Sequence, residues 1–287
     1  VRIVAPAGPV PAEPLRAGVA RLERWGLEVT VAPHVLATHP TLTYLAGHDT
    51  DRAADLQQAW CDPQVDAVFC ARGGYGCTRL LDVLDWSALA ASTPKPLVGF
   101  SDVTALLHAF TTRLGVPTVF GPTLTSDSFT DATTVEGLHR CLFRPREPTV
   151  LTGGQPLAPG TAHGITTGGT ATLLAALAGA SGPEGHPPPG RTILLLEDVH
   201  ESPYRLDRVL TQLARAGWLA DAAGIAIGAL ADCGPAEALR DMLVDRLAGL
   251  GVPVAWDLPF GHRTPQASIR LGVPAHLDAD AGRLTIC

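Results

Sequence analysis

Three side chains in this chain have the types and settings that acyl transfer requires: Ser101, Glu197 and His262. Ser101 lies in Gly99-Phe100-Ser101-Asp102. Before it stands the apolar run Pro96-Leu97-Val98, and after it Val103, Leu106, Leu107 and Phe110 recur at helical spacing. A serine at such a strand-to-helix junction is thrust out of a tight turn, with its hydroxyl at the helix N-terminus. There the peptide dipole and free N–H groups favour negative charge. Val103 occupies the place of the last glycine in the usual G-x-S-x-G elbow, and helix capping is the competing role for Ser101. A serine nucleophile needs a base, and the base needs an orienting group. Glu197 follows Ile193-Leu194-Leu195-Leu196, and His262 follows Leu258-Pro259-Phe260-Gly261. All three sit at or just past predicted strand ends, where functional groups of open α/β sheets gather. Glu201, Asp198 and His200 compete with Glu197 for any acidic or orienting role. His108 and His163 compete with His262 for the role of base.

A second unusual stretch is Arg72-Gly73-Gly74-Tyr75-Gly76, again after a predicted strand and before a helix. Its glycines permit positive φ and close backbone approach. It reads either as a plain tight turn or as a nest of N–H groups for an anion, which includes the oxyanion of an acyl-transfer site. It lacks the Gly-Lys-Ser/Thr ending of a P-loop and the spacing of a dinucleotide loop.

The elements that must position these groups alternate in the first half of the chain. Strands are predicted at Arg2 to Ala5, Leu27 to Val31, Ala67 to Ala71 and Leu97 to Phe100, with Val119 to Gly121 short and apolar. Helices are predicted at Ala12 to Trp25, Thr50 to Trp60, Thr78 to Leu84 and after Ser101. This βαβα order implies a largely parallel sheet covered by helices. From Thr123 to about Gly169 the pattern loses its period, apart from a helix near Thr134 to Phe143, and reads as a domain connection. A loop from Ser181 to Gly190 follows. Beyond it come a strand at Thr192 to Leu196, a helix at Tyr204 to Ala216, a strand at Ile225 to Leu230 and a helix at Ala236 to Leu250. Val252 to Trp256 is another strand, and short antiparallel strands run from Ile269 onward.

Composition narrows the class. The 287 residues are 46% apolar, enough for a substantial core, and the net charge of −7 argues against a general nucleic-acid binder. The six cysteines form no C-x-x-C pair and no zinc spacing, which points to reduced thiols and to no metal site. No run approaches a transmembrane helix, and Val1-Arg2-Ile3-Val4 reads as a strand and not as a signal peptide. A cytoplasmic location with no membrane partner is the expectation.

The constellation resembles the LD-carboxypeptidases, serine peptidases that include the microcin C immunity peptidases. The resemblance runs through Val4-Ala5-Pro6-Ala7, Tyr44-Leu45-Ala46-Gly47, Arg52-Ala53-Ala54-Asp55-Leu56 and Ala71-Arg72-Gly73-Gly74-Tyr75-Gly76. It continues through Gly99-Phe100-Ser101-Asp102-Val103-Thr104, Gly168-Gly169, Leu196-Glu197-Asp198-Val199, Tyr204-Arg205-Leu206-Asp207-Arg208 and Leu258-Pro259-Phe260-Gly261-His262. It implies Ser101 as nucleophile, Glu197 over Glu201 as the acidic member and His262 as base. The oxyanion donors it implies are the backbone N–H groups of Asp102 and Gly74. The implied fold is α/β: an N-terminal Rossmann-like, mostly parallel sheet domain (1–125), a linker (126–165) and a C-terminal α/β domain with a mixed sheet (166–287). The implied substrate is a peptide with an L-to-D bond at a free carboxyl end, as in murein tetrapeptide, cleaved by a homodimer without metal or organic cofactor. Such an enzyme must hold a terminal carboxylate, and Arg72, with Tyr75 on the same turn, is the substrate-binding expectation. Where the family often has Gly-Gly-Asn-Leu-Ser, this chain has Gly168-Gly169-Thr170-Ala171-Thr172. Two other readings stand beside this one. The first is an immunity-type peptidase acting on a peptidyl or aminoacyl nucleotide, which needs an aromatic stacking surface such as Trp218 or Trp256. The second is a non-catalytic protein that binds an anionic ligand or murein peptide.

Overall fold

The computed structural model describes residues 1–287 and divides into two compact units, Val1–Val135 and Glu136–Cys287. The first contains β1 (Arg2–Val4), α1 (Ala12–Glu23), β2 (Thr30–Val31), α2 (Asp49–Cys61), β3 (Val68–Cys70) and α3 (Cys77–Leu80). It continues with α4 (Trp86–Ala90), β4 (Leu97–Gly99), α5 (Thr104–Leu114) and β5 (Thr118–Phe120). These strands lie in the order β2-β1-β3-β4-β5, and every pair among them is parallel. Helices return the chain between them, so β3, β4 and β5 are buried along their whole length and β1 is buried after Arg2. The strand order reverses at β1 and β3. In sheets of this topology the crevice outside the carboxyl ends at that point is where ligands bind. The loop after β1 and the glycine-rich turn after β3 both emerge there. Behind the sheet, Trp60 on α2 packs edge-on against Phe110 on α5, with ring centroids 4.7 Å apart.

The helix α6 (Ala132–Phe143) leads into the second unit. That unit contains β6 (Thr149–Leu151), β7 (Gln155–Ala158), β8 (Thr161–Thr170), α7 (Ala171–Leu177), β9 (Thr192–Val199), α8 (Pro203–Arg215) and β10 (Ala222–Ala231). It ends with α9 (Ala236–Leu247), β11 (Val254–Trp256), β12 (Ile269–Leu271), β13 (Pro274–Asp278) and β14 (Arg283–Ile286). Eight strands form a mixed sheet in the order β6-β14-β13-β8-β9-β10-β11-β7. The central run β8-β9-β10-β11 is parallel, and the pairs β13–β8, β13–β14, β14–β6 and β11–β7 are antiparallel. Leu194 and Leu196 of β9 with Ile225 and Ile227 of β10 meet Leu206, Leu210 and Leu213 of α8 and Leu239, Leu243 and Leu247 of α9 in one core. No helix of the protein is long and apolar enough to cross a membrane.

The two α/β units, one parallel and one mixed, have the fold class expected from the sequence. The segment 126–165, read there as a linker, is different. It holds α6, β6, β7 and the first half of β8, and β8 is a central strand lying between β13 and β9. Hydrophobic periodicity does not mark this strand, because it is rich in small residues. A Cβ on Gly164 would lie 2.8 Å from the Arg191 carbonyl oxygen, and one on Gly168 would lie 2.0 Å from that of Leu195. Packing this tight excludes the large side chains whose alternation announces a strand. Elsewhere, β2 shrinks to two residues, the helix after the glycine turn ends at Leu80, and α4 is an additional short helix capped by the Asp85 carboxylate.

Candidate active site

In the first unit, β4 ends at Gly99 and the chain turns through Phe100 into a 3-10 turn, Ser101–Val103, that leads into α5. Ser101 has φ +60°, a left-handed conformation that costs a non-glycine residue about 1–2 kcal/mol. The turn closes because Gly99 has no side chain: a Cβ there would meet Val103 Cγ1 at 2.3 Å. The valine in place of the elbow's last glycine is therefore accommodated by the glycine two residues before the serine. Gly73 of the glycine-rich turn abuts the serine, for its Cβ would lie 2.9 Å from Ser101 Cβ and 3.3 Å from Ser101 Oγ. Gly74, with φ +110°, packs against Gly8 of the loop after β1, whose N–H donates to the Gly73 carbonyl at 3.0 Å.

Two buried charged groups hold this turn against the elbow. The Asp102 carboxylate, 2% exposed, accepts the Cys77 N–H at 2.8 Å at the start of α3. Burial raises its pKa above the ordinary carboxylate value, opposed by donors from Cys77 and Gly76 and by the charge of Arg52. Arg52, 1% exposed on α2, donates Nη1 to the carbonyls of Pro6 and Gly76 and Nη2 to Asp49, which also receives Arg79. Arg72 is exposed and donates to the Pro9 carbonyl. Tyr75 is also exposed and meets Tyr44 edge to face, with centroids 5.8 Å apart.

In the second unit, Glu197 follows the apolar run of β9 and has no exposed surface. Its Oε2 lies 2.6 Å from His262 Nδ1 and accepts the His262 backbone N–H at 3.0 Å. Its Oε1 accepts the Thr170 hydroxyl at 2.5 Å. The histidine reaches this position because Gly261, φ +93°, lies directly on the carboxylate: a Cβ there would come within 2.7 Å of Glu197 Cβ and 2.8 Å of Oε2. The loop before it is seated on β10, where Phe260 covers Gly228 and accepts the Ala229 N–H at 2.9 Å. With Nδ1 facing the carboxylate, Nε2 is the ring nitrogen placed to exchange a proton with substrate or nucleophile. A buried carboxylate on one ring nitrogen is an arrangement that can orient a general base.

The competing side chains are engaged elsewhere. Asp198 accepts the Thr172 N–H at 2.8 Å, the Thr172 hydroxyl at 2.6 Å and the Val199 N–H at 2.9 Å, which ties α7 to β9. Glu201 pairs with Arg205 one helical turn on. His200 is exposed at the sheet end, His108 is buried inside α5, and His163 stacks on His276 of β13 at 4.3 Å. Trp218 and Trp256 are both buried, at 1% and 9% exposure, and present no stacking surface. No group of three or more His, Cys, Asp or Glu side chains is arranged to hold a metal ion. Thr170, known from sequence only as a departure from a pattern, stands on the carboxylate itself, and Arg52, part of an unassigned motif, supports the glycine turn.

Residues 1–121 match the family profile described as the LD-carboxypeptidase N-terminal domain, and residues 163–277 match the LD-carboxypeptidase C-terminal domain. A carboxypeptidase-like protein of Streptomyces coelicolor is 54% identical over 288 residues, spanning 100% of this chain and 92% of its own. The murein tetrapeptide carboxypeptidase of Pseudomonas aeruginosa is 34% identical over 292 residues, spanning 98% of this chain and 93% of its own. Among solved structures, the muramoyltetrapeptide carboxypeptidase from Oxalobacter formigenes is similar with a TM-score of 0.86 at 31% identity, covering 99% of this chain and 97% of that one. With both halves of the chain matched and two relatives aligned over nearly its whole length, the chain belongs to the LD-carboxypeptidase family.

Proposed function

We propose that this protein is a serine carboxypeptidase that hydrolyses the L-to-D peptide bond at the free carboxyl end of murein tetrapeptide, with Ser101 as nucleophile, His262 as general base and Glu197 as the group that orients the base. The observation that carries this reading is the buried Glu197 carboxylate 2.6 Å from His262 Nδ1, the arrangement that fixes one tautomer and steadies the imidazolium formed during attack. The left-handed Ser101 at a strand-to-helix turn supports it from the other unit. In the mechanism, His262 Nε2 takes the Ser101 hydroxyl proton as the oxygen attacks the scissile carbonyl. The backbone N–H groups of Gly74 and Asp102 stabilise the oxyanion. His262 then protonates the departing D-amino acid, and water, activated by the same imidazole, releases the acyl group from Ser101. Loss of one oxyanion donor costs ~3 kcal/mol in such sites. Arg72 and Tyr75 flank the glycine turn, where they would meet the terminal carboxylate and the adjoining substrate. A cytoplasmic homodimer is part of the same reading, and light scattering should give twice the chain mass.

The test is D-alanine release from murein tetrapeptide by the wild type and by Ser101→Ala. The variant should lose at least about a thousandfold in kcat, the scale seen when a triad serine is removed. Retention of activity would remove Ser101 from the mechanism. A second reading, hydrolysis of a peptidyl or aminoacyl nucleotide, is favoured by one observation: Tyr44 and Tyr75, 52% and 47% exposed, present aromatic faces beside the glycine turn. Side-by-side kcat/KM values for tetrapeptide and an aminoacyl sulfamoyl nucleoside decide between the two.

A further inference from the structure

Glu197 is a carboxylate with no exposed surface, hydrogen-bonded to His262. A buried carboxylate is tolerated as an anion only when hydrogen-bond donors replace the water it has lost. Three donors surround it. Two belong to His262, the backbone N–H at 3.0 Å and the ring nitrogen Nδ1 at 2.6 Å, and both approach Oε2. The third is the Thr170 hydroxyl, which donates to Oε1 at 2.5 Å. Oε1 thus depends on Thr170, just as Oε2 depends on His262.

The placement of Thr170 is a consequence of the sheet. It is the last residue of β8 and stands directly opposite Glu197 in the parallel β8–β9 register. It is 3% exposed, and a β-branched side chain held there has little χ1 freedom. Two residues on, Thr172 holds the neighbouring carboxylate, Asp198, with its N–H and its hydroxyl. The two adjacent acids are therefore held apart by separate donors, one threonine to each.

We propose that Thr170 is a positioning residue of the reaction: its hydroxyl fixes the rotation of the Glu197 carboxylate, so that Oε2 meets His262 Nδ1, and supplies Oε1 with the donor that replaces lost water. The proposal rests on the triad reading above. Its thermodynamic consequence has a definite sign. When the hydroxyl is removed, the carboxylate is less well stabilised as an anion, so the Glu197–His262 pair binds a proton more tightly. The pH at which the pair becomes a competent base therefore rises. The other ionisable groups near Glu197 are Asp198 on β9, Cys233 after β10, and Glu201 with its partner Arg205. Burial pushes the Cys233 thiol up to about 11, which leaves it neutral through the working range. These groups are common to every protein compared below.

The experiment compares the wild type with Thr170→Val, which keeps shape and β-branching and loses the hydroxyl, and Thr170→Ser, which keeps the hydroxyl. Two readouts are needed. The first is kcat, KM and the pH–rate profile on murein tetrapeptide. Thr170→Val should lose about tenfold in kcat with KM little changed, and the acid limb should move up by about one pH unit, the size of one charge-assisted hydrogen bond. Thr170→Ser should restore both. The second readout uses no substrate: an NMR titration of the His262 ring should show the same upward shift in Thr170→Val and its reversal in Thr170→Ser. A folded Thr170→Val with an unchanged profile and unchanged titration overturns the proposal. If Thr170→Val does not fold, a Thr170→Ser profile displaced by as much as that of a folded Thr170→Ala overturns it instead. The two readings fail separately. Full activity in Ser101→Ala sinks the triad while leaving the His262 titration to test Thr170, and an inactive Ser101→Ala with a wild-type Thr170→Val sinks only the role of Thr170.

Discussion

Ser101 illustrates how little of a residue's chemistry is local. Its sequence setting is equally that of a helix cap, and it does begin a turn that leads into α5. What separates it from a cap is a left-handed backbone and the apposition of Gly73, neither of which is written in the four residues around it. The glycine is the more instructive of the two. Gly73→Ala would place a methyl group 2.9 Å from Ser101 Cβ, so either the elbow or the turn must shift. A displacement near 1 Å at a reacting group costs about a hundredfold, and kcat/KM of Gly73→Ala on the tetrapeptide should fall by that order while the urea midpoint changes little. An unchanged kcat/KM would mean that Gly73 only shapes the turn. Glu197 and His262 were legible as candidates because each follows an apolar run, and position at a strand end is a sequence property. Thr170 was not, because a threonine at the end of a Gly-rich stretch carries no distinguishing signal until its partner strand is known.

Among the elements, α2 does more than cover β1 and β3. It sends Arg52 inward to the carbonyls of Pro6 and Gly76, which belong to the two loops that emerge where the strand order reverses. A guanidinium there clamps both loops, with Asp49 as its counter-charge. Arg52→Met keeps most of the aliphatic volume and removes the donors, leaving two buried carbonyls without them. The expected loss is about 3 kcal/mol in unfolding free energy by urea titration, accompanied by reduced kcat. A variant as stable as wild type would show that water or neighbouring groups replace the guanidinium. Sequence placed a helix at α2 but gave Arg52 no role, since a charge inside a helix face is seen only once the loops it serves are folded against it. Similarly, β8 was hidden by its glycines, whose value lies in the carbonyls of β9 pressed against them. Periodicity finds elements that bury large side chains and misses those that bury their own backbone.

For the molecule as a whole, pH enters through pairs that join distant segments. His34, in the loop after β2, donates from Nδ1 to the Asp55 carboxylate of α2 at 2.9 Å, and its backbone N–H donates to the same carboxylate at 3.0 Å. The hydrogen bond to Asp55 raises the pKa of His34, with the charges of Asp55 and Asp51 adding to it. A histidine whose folded value is raised contributes stability that is fully present below its unfolded pKa of about 6.5 and is lost as pH rises through the folded value. The stability gap between wild type and His34→Gln, measured as urea midpoints, should be largest near pH 5.5 and shrink by pH 9. A gap independent of pH would assign the contribution of His34 to packing alone.

Composition and apolar runs determined that the chain builds α/β units, that Ser101 and Glu197 follow apolar runs near the carboxyl ends of β4 and β9, and that the glycine turn follows β3. These are local properties, set by periodicity and by the residues that end strands and begin helices. The structure extends β9 two residues past Glu197 and puts His262 in the loop beyond β11. Only the tertiary structure decided which acid serves which histidine, because that depends on the facing of β9 and on a glycine that lets the His262 loop lie on Glu197. The same structure assigned Thr170 to one carboxylate and Thr172 to the next. Strand register did this: a shift of one residue between β8 and β9 would exchange every partner, and register is a relation between segments that neither segment encodes alone.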